Sequence, residues 1–164
     1  MKNNNKGFTL IELLIALTII AILSGAALAA LSGFRASARD TRRIGDLQNM
    51  QSYLELYFNR WGRYPGDATG GSGGPTGGCT ASNWTDVTTA LGSIMDTSRV
   101  PIDPVAGRSY CYGVDTTAGS AGLSYVVGAQ METGNSVLAN DTDGTLFNVD
   151  CGTASDDEVY CIGS

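Results

Sequence analysis

With 164 residues, the chain has room for one small domain and an appended element but not for two full domains. It contains no histidine, which removes the commonest general base and metal ligand and, with them, most hydrolase and zinc-site chemistry. The net charge of −6 is split unevenly: residues 1–63 carry +4 and residues 64–164 carry −10, so the C-terminal part repels phosphate backbones and no direct nucleic-acid partner is expected.

The chain opens on a short basic flank, MKNNNKG, and from Leu13 to Leu31 it runs 19 residues without a charge. As a helix rising ~1.5 Å per residue, that run covers roughly 28 Å, close to the hydrocarbon thickness of a bilayer. A secretory signal peptide starts in a similar way, and the Ala-rich stretch near Ala26 to Ala30 imitates its cleavage site. Two features oppose that reading: the apolar run is longer than a usual signal core, and Glu12 stands at its edge. An acid at a bilayer centre costs roughly 2.5–3.5 kcal/mol and less near an end, so a carboxylate kept there suggests a task. Arg35, Arg39, Arg42 and Arg43 follow the run. Flanking charges alone would therefore leave the C-terminal part in the cytoplasm.

Lys6-Gly7-Phe8-Thr9-Leu10-Ile11-Glu12 before an apolar run resembles the processing signal of type IV prepilins and type II secretion pseudopilins. The resemblance implies that a membrane prepilin peptidase cuts between Gly7 and Phe8 and that the new N-terminal Phe8 is methylated. It also places the C-terminal part outside the cytoplasm, against the arginine count. Cleavage would turn a neutral amide at Phe8 into an α-ammonium. In an apolar fibre core, Glu12 paired with a neighbouring subunit's ammonium avoids most of the cost of a buried unpaired charge and sets register. The alternative is that Glu12 snorkels to the headgroups.

Beyond the run, Ile44, Leu47, Met50, Gln51, Leu54, Tyr57, Phe58 and Trp61 recur at helical spacing, with Gln51 the one polar interruption. Arg39, Arg42, Arg43, Asp46 and Glu55 fall mostly off this stripe and are expected on a solvated or subunit-facing surface. Gly62 and Pro65 predict the end of the helix near Trp61. A single helix from about Thr9 to Arg60 would be roughly 78 Å long, so its second half must serve as the spine of a head domain. Gly25 and Gly33 read equally as bends or close-packing sites and as merely tolerated. The stretch ending in Gly62-Arg63-Tyr64-Pro65 is similar to the corresponding part of major pseudopilins.

Residues 66–78 hold 7 glycines in 13 and predict a loop without a phosphate-binding pattern. A short helix is predicted over Trp84 to Met95 with Asp86 supporting its first turn. Strands are predicted over Ser109 to Val114, Leu123 to Met131, Thr145 to Val149 and Glu158 to Ile162. Cys79, Cys111, Cys151 and Cys161 read as two disulfides, since none forms a C-x-x-C pair. Cys79–Cys111 with Cys151–Cys161 closes the shortest loops, although three pairings are possible, and buried free thiols are the alternative in a reducing compartment. Between the last strands, Asn140-Asp141-Thr142-Asp143-Gly144 brings two carboxylates together. The resemblance to major pseudopilins implies calcium at Asp141 and Asp143, while D-G and N-D are also ordinary turn formers.

The expected fold is α+β: a long N-terminal helix, membrane-spanning in its first half, with a small antiparallel sheet packed on its second half. The divisions are residues 1–7 as leader, 8–34 as transmembrane and filament-core helix, and 35–164 as an extracytoplasmic head. The function expected is that of a structural, non-enzymatic subunit of a type II secretion pseudopilus. Its partners are identical subunits in a helical filament, the prepilin peptidase, the secretion or pilus assembly machinery and the inner membrane. A type IV pilus pilin serving adhesion, motility or DNA uptake is the alternative. A membrane-anchored ligand-binding or enzymatic head is disfavoured because no spacing singles out a catalytic carboxylate pair.

Overall fold

The first helix, α1, runs Leu10–Trp61, and the computed structural model describes residues 8–66, 79–134, 136–152 and 158–164, with the side chains of 27–32 and 81 outside that description. The elements that follow are α2 (Ala81–Leu91), β1 (Cys111–Val114), β2 (Tyr125–Gln130), β3 (Thr145–Leu146), β4 (Val149–Asp150) and β5 (Val159–Gly163), with 3-10 turns at Thr97–Arg99 and Ser136–Asn140. Two compact units divide the chain, Met1–Ala36 and Ser37–Ser164.

In the first unit, the described side chains of α1 from Leu10 to Leu23 are all exposed and, apart from Glu12 and Thr18, apolar, from Leu10 at 92% to Leu23 at 64%. Thr18 is satisfied within the helix, its hydroxyl donating to the Ile15 carbonyl at 2.8 Å, so it leaves no unpaired polar group. Among the described residues, no helix is long and apolar enough to cross a membrane. The uncharged run read from the sequence, Leu13 to Leu31, lies only partly among the described side chains, which stop at Ala26 and resume at Gly33.

In the second unit, α1 buries Leu47, Met50 and Leu54 completely, with Ile44, Tyr57 and Phe58 packed around them. This part of the stripe follows the helical spacing. Two expectations fail. Trp61 is half exposed, because the helix ends there and carries it past the sheet. Arg43, expected on the surface, is completely buried, for reasons given below. Asp46 is also drawn inward, accepting a 2.6 Å hydrogen bond from the Tyr110 hydroxyl.

Gly62 stops α1 by adopting φ +70°, a conformation that disfavours side chains, and its N–H closes on the Phe58 carbonyl at 2.7 Å. The chain then turns inward. Tyr64 packs between Phe58 and Tyr125, with ring centroids 4.8 and 4.4 Å away, and the Pro65 carbonyl accepts from the buried Tyr112 hydroxyl at 2.8 Å. Thus the segment Gly62 to Pro65 fastens the helix end to the sheet.

Helix α2 begins earlier than predicted because the Thr80 hydroxyl caps it, accepting from the Asn83 N–H at 3.3 Å. It ends at Leu91, so Asp86 lies in mid-helix and Ile94 and Met95 pack on the core from the turn that follows. Trp84, Val87 and Leu91 form its buried face.

Strands β1, β2 and β5 form an antiparallel sheet in the order β1-β2-β5. Cys111, Gly128 and Cys161 stand in one row across it. A Cβ on Gly128 would lie 2.9 Å from Cys161 Sγ and 3.4 Å from Cys111 Cβ, so the middle position has no room for a side chain. The predicted strand Thr145 to Val149 is instead a hairpin, β3 paired with β4. Phe147 and Asn148 form its two-residue turn with φ +48° and +63°. Asn tolerates that region, and the β-type sequence around it concealed the reversal.

Candidate assembly site

The N-terminal end of α1 is closed by a reciprocal cap. Both the Thr9 N–H (2.8 Å) and the Thr9 hydroxyl (2.7 Å) donate to Glu12 Oε2, and the Glu12 N–H donates back to the Thr9 hydroxyl at 3.4 Å. Thr9 stands at the N-cap and Glu12 three residues into the helix, which is the capping-box spacing. The signal lay in Thr9-Leu10-Ile11-Glu12 and was passed over in favour of Glu12's charge. Phe8 precedes the cap with its ring 89% exposed, while Gly7, and with it the predicted cleavage bond, lies outside the described residues.

A second constellation fixes α1 to the head and was not foreseen. Arg43 donates to both oxygens of Asp103, at 2.8 and 3.0 Å, so the guanidinium and carboxylate meet as a fork. Its Nη1 also donates to Asp40 Oδ1 (2.8 Å) and Glu132 Oε1 (2.7 Å). Arg39 binds both oxygens of Glu132, one of them at 2.8 Å. Asp40 accepts the N–H groups of Glu132 and Thr133 and the Thr133 hydroxyl, the last at 2.6 Å. Three separate stretches of chain converge here: α1, the Pro101–Pro104 loop and the turn after β2.

The electrostatics follow from that geometry. The hydrogen bond from Arg39, joined by Arg43, outweighs desolvation and holds the Glu132 carboxyl down at about 2. Burial pushes the Asp103 carboxyl up, but the Arg43 hydrogen bond and the Val105 N–H together leave it below its ordinary value. Arg43 itself is shifted upward, chiefly by Asp103. Burying Arg43 is tolerable only because acids surround it.

Residues 2–28 match the family described as the prokaryotic N-terminal methylation motif. Over this first part, the chain resembles type IV pilins. A protein named as a fimbrial protein, from Neisseria meningitidis serogroup B (strain ATCC BAA-335 / MC58), is 36% identical to it over 69 residues. That match covers 42% of this chain and 41% of the relative, so the chain spans well under two thirds of the protein it resembles. No solved structure matches the chain. The α+β arrangement described above, a long N-terminal helix followed by a small antiparallel sheet, is consistent with the pilin fold.

In the second unit, the cysteines pair as Cys79–Cys111 and Cys151–Cys161. Asp141 is half-buried and its Oδ2 accepts the Cys161 N–H at 2.7 Å, tying the loop to β5, while Asp143 is exposed. Calcium takes six to eight oxygens. Among the described residues, no group of three or more His, Cys, Asp or Glu could hold a metal, so a calcium ion at these two carboxylates would draw its remaining oxygens from loop carbonyls and water.

Proposed function

We propose that this chain is a non-enzymatic filament subunit, cut between Gly7 and Phe8, methylated at Phe8 and assembled through the first part of α1 with identical subunits. One observation carries the reading: α1 from Leu10 to Leu23 presents exposed apolar side chains broken only by Glu12 and Thr18, directly behind a capped N-terminus that bears a methylation motif. Such a surface needs cover first from lipid and then from other helices. Thr9 occupies Glu12 Oε2 alone, and Oε1 can receive the ammonium of an adjoining subunit. The head then sits outside the inner membrane, where disulfides persist.

The pseudopilus of type II secretion is the filament favoured by the Gly62 to Pro65 ending, which is built into the core through Tyr64. The type IV pilus is the second reading, and the fimbrial relative favours it. Deleting the gene separates the two. Loss of protein export with surface fibres intact supports the pseudopilus, and loss of fibres with export intact supports the pilus. Processing is tested by intact mass, which should give a chain starting at methylated Phe8. A mature N-terminus near Ala30 would overturn the filament reading.

A further inference from the structure

We propose that the Cys79–Cys111 disulfide is a thiol-exchange site, open to small dithiols and to dithiol oxidoreductases, while Cys151–Cys161 is closed to them. Cys79 is exposed, and both Cys79 and Cys111 line a cavity of about 590 Å³. Cys151 and Cys161 are completely buried and form no part of that cavity. Exchange begins with a thiolate attacking a disulfide sulfur, so it is governed by access and by the ease with which the other sulfur leaves. Access here is through Cys79.

Attack on Cys79 Sγ forms a mixed disulfide and expels Cys111 as a thiolate at the cavity wall. Arg108 lines the same wall, and among the described residues its Nη1 is buried without a hydrogen bond and has Glu132 Oε1 at 4.0 Å as its ion-pair contact. That N–H is available to the charge developing on sulfur, and a neighbouring cation favours the thiolate. Three acids share the cavity. Asp103 is paired with the Arg43 cation, whereas Asp150, bonded only to the neutral Gly152 N–H, and Glu158 keep their charge and oppose a thiolate. The second thiol of the reagent then attacks the mixed disulfide and releases Cys79. The reagent departs oxidised, and two electrons and two protons end on Cys79 and Cys111. Helix α2 stays seated, because Trp84, Val87 and Leu91 hold it independently of the bridge.

The test uses the full chain in detergent, treated with dithiothreitol for increasing times, quenched with iodoacetamide and mapped by peptide mass spectrometry. Cys79 and Cys111 should be labelled together, about tenfold or more faster than Cys151 and Cys161, with helical circular dichroism unchanged at that stage. Labelling of all four at one rate, or of Cys151 and Cys161 first, would overturn the proposal. Arg108→Gln should slow the first step several-fold and Arg108→Lys should restore it. Equal rates in all three proteins would overturn the part given to Arg108.

Discussion

At Glu12 the carboxylate serves the helix end through Thr9, and under the proposed assembly it also meets a neighbour's ammonium. Glutamine can cap at this position but carries no charge, so Glu12→Gln and Glu12→Ala separate the roles. Both variants should insert in the membrane and be cleaved after Gly7, and both should lose filaments. Normal filaments from Glu12→Gln with failure of Glu12→Ala would reduce Glu12 to a cap, worth about 1 kcal/mol. Arg43 offers a second residue-scale test. Arg43→Met leaves Asp40, Asp103 and Glu132 crowded without their shared cation, and should cost about 3–5 kcal/mol, read as a lowered denaturation midpoint. An unchanged midpoint would mean that the fork contributes nothing. Neither role was fully legible beforehand. The capping box was written locally in Thr9 and Glu12, whereas Arg43 finds Asp103 and Glu132 only through the fold, and arginine on a helix ordinarily reads as surface.

Elements with strong local signals followed the sequence closely, and those whose cap or turn carries a weak signal did not. The end of α1 at Trp61 could be read from Gly62 and Pro65, and the strands of the main sheet from their β-branched and aromatic residues. The start of α2 was misplaced because Thr80 sits between a Gly-rich stretch and a helix without a strong apolar pattern. The hairpin at Phe147 and Asn148 was missed because a phenylalanine at positive φ is not a turn signal. The loop before it is stabilised by the Asp141 carboxylate on the Cys161 N–H. Asp141→Ala should therefore lower stability by about 1–3 kcal/mol, the cost of stranding the buried Cys161 N–H. A chelator tests the calcium expected at Asp141 and Asp143: a drop in wild-type melting temperature that Asp143→Ala abolishes would assign calcium to this loop, and equal melting with and without chelator would leave it a plain turn.

For the whole molecule, the acids gathered around Arg39 and Arg43 fix how stability responds to pH. Glu132 titrates at about 2 in the folded protein, below the ordinary carboxylate value of 4.5. A depressed carboxylate contributes fully above its unfolded pKa and loses that contribution as pH falls through the folded value. Stability should accordingly hold down to about pH 4.5 and decline towards pH 2. Thermal melts across that range check it, and Glu132→Gln should flatten the decline. A wild-type decline centred above pH 5 would place the sensitivity elsewhere. The same acids bear on the charge bias read from the sequence: of the four arginines after the apolar run, Arg39 and Arg43 are matched by acids once the head folds, and Arg42 faces Asp46 at 3.6 Å.

The row formed by Cys111, Gly128 and Cys161 bears on oxidative refolding. With one strand between them, their Cα atoms stand about two strand spacings apart, roughly 9–10 Å, beyond the reach of a disulfide. A Cys111–Cys161 bridge can therefore form only before β2 has taken its place between β1 and β5. Scrambled protein carrying that bridge is thus a marker of chains oxidised before the sheet assembled, and a shuffling thiol buffer should return them to the native pairing.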